Sequence, residues 1–193
     1  MTGCGRWKGF ARGRARERIE GAPIEVRASP LDRRRGLLRL GPLVMPCALG
    51  RSGITSRKRE GDGATPLAAM PVLHAYLRRD RQAMPPASPL APAAIGPRDG
   101  WCDDPRSSAY NAPVRLPHRA GAERMWREDR LYDAVVVLDW NVRSRARRRG
   151  SAIFLHVAKP GYPPTEGCIA VAPRDMARLL PHLRRGRVVR VIG

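Results

Sequence analysis

His156 and Cys168 stand 12 residues apart, joined by a loop that carries Pro160-Gly161 and Pro163-Pro164. A free thiol titrates near ~8.5, so at neutral pH it needs a nearby base to become the reactive thiolate. A histidine within hydrogen-bond reach can take that proton and later hand it to a leaving group. The turn residues of the loop suit a chain folding back, which lets His156 and Cys168 meet. Gly167 leaves room for a substrate carbonyl to approach the backbone amides beside Cys168. Preorganised donors of that kind hold a developing oxyanion, a contribution of about 3–4 kcal/mol for each donor. Thr165-Glu166-Gly167-Cys168 is therefore read as a nucleophile turn, with Cys168 as nucleophile, His156 as base and proton donor, and Thr165 and Gly167 shaping the oxyanion site. By pattern alone such a pair is weak evidence, because strand-end histidines are commonly structural.

The surrounding patterns predict the elements that must position this pair. Ser151 to Val157 reads as a strand delivering His156, and Ile169 to Val171 as the strand that follows Cys168. Pro173 opens a helix with Asp175 in its first turn, and Met176, Leu179, Leu180 and Leu183 form its apolar face. Tyr132 to Leu138 is the most β-branched run and predicts a central strand. Upstream, Ile24 to Arg27, Leu37 to Leu40 and Leu43 to Leu49 read as an antiparallel meander, with Pro46 pointing to an edge or a bulge. Val72 to Leu77 and Arg187 to Ile192 are further strands, and Ala122 to Arg130 reads as a short helix. The proline-rich stretch from Asp80 to Pro97 predicts an extended crossing loop, and Asp99 to Pro105 a turn around Trp101. Residues 1–22 are basic and aperiodic, a floppy arm ahead of one domain over 23–193.

Composition narrows the function classes. The 193 residues carry a formal net charge of +20, nearly all from arginine, since Lys8, Lys58 and Lys159 are the only lysines. A basic chain raises the question of nucleic acid. Aromatic residues are only 5% and do not interleave with the basic runs, so base stacking has no platform and no nucleic-acid partner is expected. The arginine run from Arg143 to Arg149 reads first as a solvated charge run, and its position directly before the His156 strand also lets it border the site, where it could attract an acidic substrate. Cys4, Cys47, Cys102 and Cys168 form no paired zinc motif, so no metal is expected, while a Cys47–Cys102 disulfide is left open. No apolar run approaches the ~20 residues of a membrane span, and none after the basic start reads as a signal peptide.

Two motifs then converge. His156 followed by Gly161 and by Thr165-x-Gly167-Cys168-Ile169 resembles the signature of the L,D-transpeptidase catalytic domain, the YkuD-like family. Gly61-Asp62-Gly63-Ala64-Thr65-Pro66 resembles that family's Gly-x-x-x-Thr-Pro element. The resemblance spans residues 23–193 and implies a mostly β, sandwich- or barrel-like fold with a few short helices, one following the nucleophile strand. It implies a cysteine acyltransferase that takes a peptidoglycan stem peptide as a thioester and passes it to an amine, with water as the alternative acceptor in L,D-carboxypeptidases. It implies no cofactor, and a place in the cell envelope or periplasm. Thr65, Tyr132, Asn141 and Tyr162 are the residues expected to line the substrate site. Four positions depart from the family pattern: Val157 and Ala158 stand where Gly and a small hydroxyl residue are usual, Glu166 where His is frequent, and Ala170 where Arg or Asn is usual.

Overall fold

The run Ala134–Leu138 is buried along its whole length, which demands cover on both faces of its strand. In the computed structural model, which describes residues 19, 21–81 and 88–193, that cover comes from a closed sheet on one side and a small sheet on the other. The strands are β1 (Ile24–Ala28), β2 (Arg35–Leu40), β3 (Leu43–Ala48), β4 (Ile54–Thr55), β5 (Thr65–Pro66), β6 (Ala69–Leu77), β7 (Ala93–Ala94), β8 (Asp99–Cys102), β9 (Ala112–Arg115), β10 (Ala122–Arg124), β11 (Ala134–Leu138), β12 (Phe154–Val157), β13 (Ile169–Val171) and β14 (Val188–Ile192). A helix, α1 (Pro173–Leu179), and a 3-10 turn at Leu180–His182 lie between β13 and β14. The main sheet runs β11-β12-β13-β3-β2-β1-β14-β6, and pairing of β6 with β11 closes it into a barrel, with β7 attached to β6. The small sheet has the order β10-β8-β9, and β4 and β5 form a separate parallel pair.

The fold is mostly β, as the turn-rich composition and the motif resemblance imply. The meander β1–β3 is antiparallel with its reversal at Gly41-Pro42, and α1 starts on Pro173 with Met176, Leu179, Leu180 and Leu183 buried. Pro46 fits its strand because β13 pairs β3 only at Cys47 and Ala48, so β3 is locally an edge at the proline.

Three expectations fail. Ala122 to Arg130 is not helical: Ala122–Arg124 is strand β10, paired with β8 through Glu123↔Trp101, and Met125 is buried beneath it. A three-residue strand carries too little period to be told from one helical turn. Asp99–Cys102 is likewise strand β8 rather than turn, with Trp101 fully buried and its indole N–H donated to Asn111 Oδ1 at 3.0 Å. The Asp80–Pro97 stretch is not wholly irregular, since Ala93–Ala94 adds to β6 in parallel; residues 82–87 lie outside the description. The basic arm expected over 1–22 lies outside it too, apart from Ile19, Gly21 and Ala22. Ile19 is buried in the barrel core, and Arg187 donates to the carbonyls of Ile19 and Ala22 at 2.7 Å each. Cys47 and Cys102 are buried free thiols, and no described helix is long and apolar enough to cross a membrane.

Period-two alternation on β12 and β13 divides the molecule. Leu155, Val157, Ile169 and Val171 point into the barrel core with Val136 and Leu138. Phe154 and Cys168 join Trp101, Met125, Tyr132, Val135 and Val137 in a second cluster, between the barrel wall and the small sheet. Leu155 thus anchors the strand that carries His156 from behind. Leu155→Ala should lower the unfolding free energy by about 2–5 kcal/mol, read as a reduced urea midpoint at unchanged m-value.

Candidate active site

β12 pairs with β11 on one side, His156 opposite Val135, and in parallel with β13 on the other, His156 opposite Ala170. This places His156 on the same outer face of the barrel as Cys168, which immediately precedes β13. Both line one cavity of about 540 Å³. Its floor is the barrel wall, and the loops of residues 58–61, 151–152 and 163–166 rise around it.

His156 is only 3% exposed. Its Nδ1 lies 2.9 Å from the carbonyl oxygen of Val157. A carbonyl can only accept, so Nδ1 carries the proton and Nε2 keeps its lone pair. Burial holds the imidazole pKa down at about 4, against a smaller opposing effect of the Val157 hydrogen bond. The ring is therefore neutral at physiological pH. Tyr132 meets it edge-on, with ring centroids 5.5 Å apart.

Cys168 is equally dry. Its thiol donates to Ala152 O at 3.1 Å and accepts from Phe154 N at 3.3 Å. Burial pushes the thiol up to about 12, with Glu123 and Glu166 adding to the rise and the Phe154 amide and Lys58 opposing it. The pair at rest is a neutral thiol and a neutral imidazole, not an ion pair, and the thiol is hydrogen-bonded to backbone rather than to His156.

The Thr165–Cys168 turn is fixed by its own first residue and by the upstream motif. Thr165 Oγ1 donates to Cys168 O at 2.7 Å and accepts from Gly167 N at 3.2 Å. Gly167 has φ +131°, and a Cβ there would fall 2.8 Å from the carbonyl oxygen of Ala64. Asp62 organises the upstream turn by accepting from the amides of Arg59 and Ala64 and from Lys58 Nζ, the last at 2.6 Å. Burial raises the Asp62 carboxyl, but those three donors outweigh it and hold it below the usual range. The segment Leu49–Arg51, which precedes both motifs in the chain, ties them: Thr165 N donates to Leu49 O, Arg51 N to Thr165 O, and Gly50 N to Thr65 Oγ1. Arg51 adds a side-chain ion pair to Glu166 at 2.8 Å.

Of the residues expected around the substrate, Tyr132 lines the cavity and three do not. Thr65 is fully buried behind the turn and spends its hydroxyl on Gly50. Asn141, at φ +58°, clamps the β11–β12 loop, donating to Ala146 O and Gly150 O. Tyr162, half-buried, packs on Ala48, Ala158 and Ala170 without itself lining the cavity. Arg143 to Arg149 do not border this cavity, because the loop turns toward residues 56–59 instead. Sequence reading missed Glu123, which accepts from the Tyr132 hydroxyl at 2.7 Å, and Arg127, which ion-pairs with Glu123 and Asp129. It missed Glu60 as well, whose carboxylate accepts from Ser151 at 3.1 Å and from the Tyr110 hydroxyl. Only the rarity of lysine, with Lys58 inside a glycine-rich turn, could have flagged that loop as special. Among the described residues, no three His, Cys, Asp or Glu side chains gather as a metal site would need.

The sequence matches the family model of the L,D-transpeptidase catalytic domain, YkuD, over residues 33–191. The chain belongs to that family. Among solved structures it is similar to L,D-transpeptidase 1 of Mycobacterium tuberculosis, at 15% identity and a TM-score of 0.40, over 90% of this chain and 60% of that one. It is also similar to an L,D-transpeptidase of Mycobacterium smegmatis, at 14% identity and a TM-score of 0.41, again over 90% and 60%. The chain thus spans about 60% of the length of these relatives. No curated protein sequence matches it significantly.

Two outcomes follow for this L,D-transpeptidase-family site. With the thiol near 12, its alkylation by iodoacetamide should climb about tenfold per pH unit from pH 7 to 10, with no plateau from a preformed ion pair. Mapping of the Cys168 peptide by mass spectrometry reads this directly. Gly167→Ala forces a methyl against Ala64 O at a left-handed φ, so it should cost about 1–3 kcal/mol in denaturation and change the Cys168 alkylation rate.

Proposed function

We propose that this chain is a cysteine acyltransferase acting on peptidoglycan stem peptides in the cell envelope. The observation that carries the reading is that Cys168 and His156, the two residues matching the family signature, wall one cavity, with the His156 Nε2 lone pair not used by its backbone hydrogen bond. Family membership supports the substrate class.

In this reading a stem peptide enters the cavity and its carbonyl reaches Cys168. The thiol passes its proton to His156 Nε2 as sulfur attacks the carbonyl carbon at the L-centre. The resulting oxyanion is held by the Cys168 amide, since the Gly167 amide already donates to Thr165. Val157 O, accepting from Nδ1–H, fixes the ring and stabilises the imidazolium that forms, so a backbone carbonyl serves as the third member of the triad. His156 then protonates the departing D-alanine amine and a thioester remains. The side-chain amine of a second stem resolves the thioester, giving a cross-link, and water in its place gives hydrolysis.

A site with both partners neutral at rest suits this order. The charged pair forms only as the proton moves, inside a cavity whose dipoles are already oriented.

Incubation with a tetrapeptide stem should leave Cys168 heavier by the peptide less its terminal D-alanine, and Cys168→Ala should carry no adduct and no turnover. His156→Gln should retain the fold and lose about 10²–10⁴-fold in acylation rate. An unmodified Cys168, or unchanged turnover in Cys168→Ala, would overturn the reading. Addition of a free diamino acid as competitor to water separates transfer from hydrolysis by product mass.

A further inference from the structure

Some arginines on the described surface are paired with carboxylates, as Arg34 is with Asp32, Arg106 with Asp104, Arg115 with Asp99 and Arg143 with Asp139, while others, Arg33 and Arg124 among them, stand singly. Arg57, Arg59, Arg147, Arg148 and Arg149 are set apart by converging on one cleft of about 440 Å³, and no carboxylate lines it with them. Among the described residues, none of these five makes an ion pair or a side-chain hydrogen bond. Five like charges in one cleft repel one another, and among the described residues lining it no carboxylate offsets this.

The cleft is held in shape from outside its own side chains. Glu60 N donates to Arg148 O at 3.0 Å, tying the two arginine-bearing loops together. Trp140 Nε1 donates to Arg149 O at 2.8 Å, and Asn141 grips the loop at Ala146 and Gly150. Arg145 and Arg148 sit at φ +46° and +63°, a conformation that costs a non-glycine residue free energy and persists where surrounding contacts impose it. Lys58, buried, forms a wall shared by this cleft and the cavity of Cys168.

We propose that this cleft is a binding site for a base-free phosphodiester polymer, which it holds beside the Cys168 cavity. Planar guanidinium forks match phosphate oxygens two at a time, and five of them suit a repeating anion better than one carboxylate. The lining holds no aromatic side chain, so it offers phosphates a partner and offers bases none. The proposal does not depend on the acyl-transfer reading, because binding is measured without turnover.

The test is binding of fluorescently labelled poly(glycerol phosphate) to the full-length chain by anisotropy across a salt series. Arg147→Gln/Arg148→Gln/Arg149→Gln and Arg57→Gln/Arg59→Gln are the two variants, with thermal midpoints checking that each remains folded. The wild type should bind with a steep salt dependence, and each variant should bind at least tenfold more weakly with a shallower slope, although the rest of the arginines remain. Equal binding by wild type and folded variants would overturn the proposal, as would equal or tighter binding of single-stranded oligothymidylate of matched charge. Equal binding of polyglutamate of matched charge would overturn the phosphate assignment too.

Discussion

The site depends on one close approach between two turns that lie a hundred residues apart. Gly167 packs against the carbonyl of Ala64 at a distance that leaves no room for a side chain. That contact can form only if each turn is already rigid. Asp62 makes the first rigid by taking two amides and the Lys58 ammonium; Thr165 makes the second rigid by spanning Gly167 N and Cys168 O. The bridge and turn from Leu49 to Gly53 then serve as the splint, with Gly50 so enclosed that a Cβ would meet Gly63 O at 2.3 Å. Cys168 is placed by backbone packing, and its thiol direction by two backbone hydrogen bonds.

The electrostatics of the cavity follow from the same dryness. Both reactive groups are driven toward their neutral forms because burial penalises each charge. Glu123 is also raised by burial, with the Tyr132 hydroxyl and Arg127 opposing the rise. Asp129 is held well below the usual carboxylate range, first by its hydrogen bond to Arg127. The cavity rim therefore fixes its charges in pairs, while the floor keeps a transferable proton on sulfur.

Much of this was legible in the residues. The turn before Cys168, the meander, the β-branched strand and the proline-started helix all carry signals that are local in sequence: alternation, a turn residue, a cap. What could not be read is non-local. Strand β10 has only three residues, so its identity comes from pairing with β8 and not from its own period. Glu123 becomes part of the site through that pairing, which sets its carboxylate against the Tyr132 hydroxyl. Asn141 was misplaced for a related reason. A polar residue after a strand can face a cavity or organise its own loop, and here its positive φ and four local hydrogen bonds decide for the loop.

The departures from the family pattern become intelligible once strand parity is known. Val157 replaces a glycine, but its side chain points into the barrel core, while the group that meets His156 is its carbonyl, which any residue supplies. The substitution fills core volume and leaves the orienting hydrogen bond intact. Glu166 lines the cavity at its exposed rim and is taken up by Arg51, whose guanidinium also donates to Gly61 O at 3.3 Å. That pair joins the two turns again, at the rim. Ala158 and Ala170 are different, because both are buried on the cavity wall and there exchange polar groups for methyls. The parts that position the thiol and imidazole are thus backbone-borne and insensitive to these changes, whereas the cavity wall carries methyls at two positions where the family pattern has polar groups. Divergence of this chain from the family pattern therefore falls on the lining of the cavity, and much less on the placement of Cys168 and His156.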